Sequence, residues 1–104
     1  MAFASVGTLG TRANTGNNQA SSAITTSAAA EAGNLVVLLV AVDANSAGAD
    51  GDDLAVASVS DSAGGNTWIK GAQFANTQGA LAAGTSCSIW YSKLTNTIAS
   101  GGTI

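Results

Sequence analysis

The sequence predicts an all-β fold, an antiparallel β-sandwich of the jelly-roll or immunoglobulin-like kind. Three observations predict it. Short apolar stretches rich in β-branched residues are separated by Gly/Asn/Asp turn signals. Ser86–Leu94 alternates strictly with a period of two. No stretch is long enough for a series of helices between the strands, which disfavours a doubly wound fold. At 104 residues the chain makes one domain, read as an extended N-terminal arm over residues 1–22 and a sandwich over 23–104.

The elements follow in order. Gly10–Ser22, rich in Gly, Asn, Thr and Ser, is loop or arm, and Ser22–Thr26 is a short strand. Ser27–Gly33 carries helix-forming alanines and a closing glycine. Seven residues support at most one helical turn. Leu35–Val42 is eight consecutive apolar residues with four valines, the signature of a central strand buried on both faces. It ends in an acidic loop, Asp43–Asp53. Leu54–Ser60 is the next strand, and Asp61–Asn66 is a hairpin turn, because Gly64, Gly65 and Asn66 tolerate positive φ. Thr67–Lys70 is the return strand. Gly71–Gly84 is irregular, with Phe74 and Leu81 as core plugs. In Ser86–Leu94, Cys87, Ile89 and Tyr91 share one face and Ser88, Trp90 and Ser92 the other. Thr103–Ile104 opens one more strand after a turn at Ala99–Gly102. Five or six strands are legible where such sandwiches have seven or eight, so the sandwich is expected to be incomplete at the C-terminus, with an unpaired edge at Thr103–Ile104 open to strand addition.

Composition narrows the function. Charged residues are 9% of the chain, apolar ones 46%, and the net charge is −3. Arg12, Lys70 and Lys93 are too few to neutralise a phosphate backbone, so nucleic acid is excluded as a partner. The chain has no His and no Pro, and one Cys, which removes the usual acid–base pairs, His-based metal sites and an intrachain disulfide. An enzyme is not expected, nor a cofactor. The start has no basic n-region and no sustained apolar core, so a secretory signal is not expected. The longest apolar run is far short of the ~20 residues of a membrane-spanning helix, and no membrane partner is predicted. So little charge on so many small side chains suits a surface packed against copies of itself or other subunits.

The individual chemical candidates are weak. Asp43, Asn45, Asp50, Asp52 and Asp53 are hard oxygen ligands, but their spacing lacks the glycine and closing glutamate of a calcium loop, so no metal is assigned. Cys87 has no base to activate it and reads as core packing. Lys70 and Lys93 are tied to no serine by any motif. Trp68 and Trp90 read as core filler; the alternative is that they stack on sugar rings in a carbohydrate-binding or host-recognition module.

Val59-Ser60-Asp61-Ser62-Ala63-Gly64-Gly65-Asn66-Thr67-Trp68, followed by Cys87-Ser88-Ile89-Trp90-Tyr91-Ser92-Lys93, resembles a group of β-sandwich domains found in bacteriophage virion proteins and some bacterial surface proteins. The resemblance spans residues 33–104, with Gly65 as an additional glycine. It implies a virion structural protein, such as a capsid decoration protein, head fibre or tail fibre subunit. Such a protein is made in the host cytoplasm and acts through protein–protein contacts with other virion proteins and copies of itself. The expected contact residues are Phe3, Val6 and Leu9 on the arm, which is expected to order only on docking, and Thr103 and Ile104 on the open edge.

Overall fold

The computed structural model describes residues 4–14, 21–43, 56–76 and 84–104. They form an all-β structure with no helix and three antiparallel strands: β1 (Leu35–Asp43), β2 (Ile69–Asn76) and β3 (Thr85–Lys93). The sheet order is β1-β3-β2. β1 and β3 pair without interruption from Leu35 opposite Lys93 to Asp43 opposite Thr85. β2 pairs with β3 from Ile69 opposite Tyr91 to Asn76 opposite Thr85, with a register shift between Lys70 and Ala72. Gly71 is the extra residue there. A Cβ on it would meet the Tyr91 ring at 3.4 Å, ordinary van der Waals contact, so the bulge itself and not a steric demand for glycine marks the position.

The pairing of β1 with β3 continues past the sheet in one register. Leu94 donates to the Asn34 carbonyl and accepts from Gly33; Ala30 and Ile98 exchange both backbone bonds, as do Ile24 and Ile104. Thr25 faces Thr103. Residues 24–43 and 85–104 thus form one long antiparallel ribbon interrupted by turns, and the second segment is its middle ply. On the far side of that ply lie β2 and, beyond it, Asn66, which accepts from the Thr95 and Asn96 amides at 2.9 Å, and Ser62, whose amide donates to the Thr103 carbonyl.

This arrangement corrects the expected open C-terminal edge. The Thr103 amide donates to Ser62 Oγ (2.9 Å) and its carbonyl accepts from Ser62 N–H. Ile104 is bonded to Ile24 through both its amide and its carbonyl. With every backbone donor and acceptor of these two residues satisfied, Thr103–Ile104 offers no template for strand addition.

The core is small: Ala30, Val36, Leu94 and Ile98 are buried together, with Leu9, Trp68 and Ile104 packed against them. Buried Thr26 ties this core to the C-terminal turn, its hydroxyl donating to the Ala99 carbonyl at 2.7 Å. The Cα radius of gyration is 15.1 Å, above the ~13 Å of a compact domain of this length.

Other expectations change too. Leu35–Val42 is not central and covered on both faces; as part of β1 it is an edge strand with one face bare. Val56–Ser60 forms no strand, and Leu54 lies outside the described residues. Asp61–Asn66 is a turn with Gly64 and Gly65 at φ +67° and +72°, but it latches onto Thr95–Asn96 instead of joining two strands. The irregular stretch beginning at Gly71 is strand as far as Asn76, and Phe74 is exposed, not a plug; Leu81 lies outside the described residues.

Candidate functional site

The two faces of the sheet differ sharply. On the covered face β3 presents Ser86, Ser88, Trp90 and Ser92, all buried, opposite Val42, Val40, Leu38 and Val36 of β1. Small serines flank the indole and leave it room. Trp90 Nε1–H donates to Ser88 Oγ at 3.2 Å, and Lys70 Nζ lies 5.0 Å from the ring centroid while donating to Gln73 Oε1.

The other face is bare among the described residues. β1 contributes Leu35, Val37, Leu39, Ala41 and Asp43; β3 contributes Lys93, Tyr91, Ile89, Cys87 and Thr85; β2 contributes Ile69, Ala72 and Phe74. Seven of these are large apolar side chains exposed to solvent, with Leu39 at 72% and Phe74 at 70%. Cross-strand neighbours make them continuous: Leu39 faces Ile89, Val37 faces Tyr91, and Cys87 lies between Ala41 and Phe74. An apolar surface on this scale exceeds the scattered exposed hydrophobics that any protein carries. Among the described residues of the three strands, the only charges on it, Asp43 and Lys93, stand at opposite ends.

This site agrees with one part of the sequence reading of β3, the burial of Trp90 as core filler, and corrects the other. The alternation is as expected, but the face of Cys87, Ile89 and Tyr91 points to solvent, and Cys87 is an exposed free thiol instead of a core residue. Hydropathy ranks that face above three serines and a tryptophan. What decides burial is the size of the indole and the hydrogen bond its N–H requires. The available signal was in β1, whose unbroken apolar run demands cover on both sides.

The other predicted residues are dispersed. Phe3 lies outside the described residues, as do Asn45, Asp50, Asp52 and Asp53. Val6 is exposed. Leu9 is docked within the chain, packed on the core and accepting at its carbonyl from both the amide (2.7 Å) and hydroxyl (2.9 Å) of Ser27. Trp90 is 6% exposed, which leaves its ring no free face for a sugar. Trp68 is half-buried, and its Nε1–H is held by Asp61 Oδ2 at 2.8 Å. The structure brings none of Val6, Thr103, Trp68 or Trp90 onto the bare sheet face.

No protein-family model, curated protein or solved structure gives a significant match to this chain.

Proposed function

We propose that this domain is a structural assembly module that works by burying the bare face of its sheet against protein. The observation that carries the reading is the run of seven large exposed apolar side chains across β1, β3 and β2. Left in water, such a face forfeits roughly 25 cal/mol for each Å² of apolar surface that a partner would cover. On this reading the β-sandwich expected from the sequence is real but shared, with its second sheet supplied from outside the described residues. The motifs in Val59–Trp68 and Cys87–Lys93 support a narrower assignment, to a structural component of a bacteriophage virion.

Site-specific photo-crosslinking tests the reading. With benzoylphenylalanine in place of Leu39 or Phe74, irradiation of assembled particles should yield adducts that mass spectrometry identifies as virion protein or as the chain itself. The same probe at Val6 should yield few. Silence at both sheet positions would refute the assignment.

A further inference from the structure

We infer that the occupant of the bare face is a second copy of this chain, packed sheet to sheet about a two-fold axis perpendicular to the strands. The inference rests on the assembly reading and names its partner.

Self-complementarity argues for it. A two-fold interface must satisfy itself, each feature of the patch meeting another feature of the same patch. Among the described residues, the strands place one acid and one base on this face. Asp43 stands at the end of β1 beside Thr85, and Lys93 stands at the other end of the sheet beside Leu35. A two-fold axis perpendicular to the strands reverses the second sheet end for end, so Asp43 of each copy lies over the Lys93 end of the other. A two-fold along the strands would instead set acid over acid and base over base. Between the charges the face is apolar or small and uncharged, so no ion is buried without a partner. Ile89 and Leu39 occupy the middle of their strands and come near the axis, where apolar side chains of two aligned sheets interdigitate.

The area is adequate. Strands of nine, eight and nine residues make a face about 30 Å long and 15 Å wide; with side chains standing off it, roughly 600 Å² becomes available. That is the lower end of what each partner contributes to a specific interface. Such a dimer should exchange with monomer at micromolar concentration.

Sedimentation velocity on the 104-residue chain, from ~1 to ~300 µM, tests this. The wild type should pass from monomer to dimer. Leu39→Lys, at an exposed position, should keep its far-ultraviolet spectrum and weaken dimerisation at least ~100-fold, because it buries an unpaired charge. Asp43→Lys should weaken it by about ten-fold, and the exchanged pair Asp43→Lys with Lys93→Asp should restore it to within about two-fold. The native thiol gives a second readout, since alkylation of Cys87 should slow in step with dimer formation.

A chain that stays monomeric with Cys87 alkylated at one rate throughout overturns the inference, as does a dimer indifferent to Leu39→Lys. If that monomer still captures other virion proteins through a probe at position 39, the assembly reading stands and only the second copy is lost. If the probe captures nothing, both fall.

Discussion

The Asp61 carboxylate holds the Trp68 indole at 2.8 Å through Oδ2 while its Oδ1 gathers the Ala63 amide, the Gly64 amide and the Asn66 side-chain amide at 3.0–3.2 Å. One side chain thereby closes the turn and seats the aromatic residue that packs on the core. Asp61→Ala should cost about 2–3 kcal/mol, as expected when hydrogen bonds to a charged acceptor are removed. Asp61→Asn should fall between, because its amide can accept on one side only. Urea unfolding measures both, and a red shift of tryptophan emission in the alanine variant would report the released indole. An unchanged midpoint would mean that the turn stands without its carboxylate.

The same turn separates backbone strain from contact. Gly64 and Gly65 both have positive φ, but a Cβ on Gly64 would meet nothing within 4 Å, whereas one on Gly65 would lie 2.7 Å from Asn96 Nδ2. That nitrogen donates to the Gly64 carbonyl at 2.8 Å. Gly64→Ala should therefore cost only the left-handed penalty, about 1–2 kcal/mol. Gly65→Ala should cost that plus a displaced hydrogen bond, roughly 1 kcal/mol more. Equal midpoints for the two variants would show that Asn96 moves aside freely.

Buried serines on β3 give opposite expectations. Ser92 is wholly buried and its hydroxyl has no hydrogen-bond partner among the described residues, so the folded state carries an unrewarded desolvation. Ser92→Ala should be neutral or stabilising by up to about 1 kcal/mol. Ser88 accepts the Trp90 indole N–H, and Ser88→Ala, which strands a buried donor, should destabilise by about 1–2 kcal/mol. Thermal melts of the pair make the comparison, and a loss of stability in Ser92→Ala would point to a partner for that hydroxyl.

Much of this was legible in the residues and some was not. Leu35–Val42 and Ser86–Leu94 match β1 and β3 nearly to the residue, since valine-rich runs and two-residue alternation are local signals. β2 is only half legible because Gly71 inserts one residue and breaks the alternation between Ile69 and Asn76. The turn chemistry of Asp61–Asn66 was visible, but its partners at Thr95 and Asn96 are some thirty residues away, and nothing local announces them. Thr103–Ile104 reads locally as an edge because strand pairing depends on segments far away in sequence. The bare face was half legible: β1 demanded two covers, and local pattern cannot tell which of them another part of the same fold provides.

The position of Thr103 and Ile104 in the middle ply gives the last prediction. Removing these two residues deletes both bonds between Ile104 and Ile24, both bonds between Thr103 and Ser62, and the Ile104 side chain from the core. At about 1 kcal/mol for each hydrogen bond, the loss is on the order of 4 kcal/mol before the apolar contact is added. Small domains have only about 5–15 kcal/mol in all. The shortened chain should therefore be largely unfolded or lose most of its denaturation midpoint, and amide exchange at Ile24 and Ser62 should become fast. An edge strand would behave differently, fraying at its end while β1, β2 and β3 kept their protection. Full protection of Ile24 in the shortened chain would restore Thr103–Ile104 to the status of a peripheral strand.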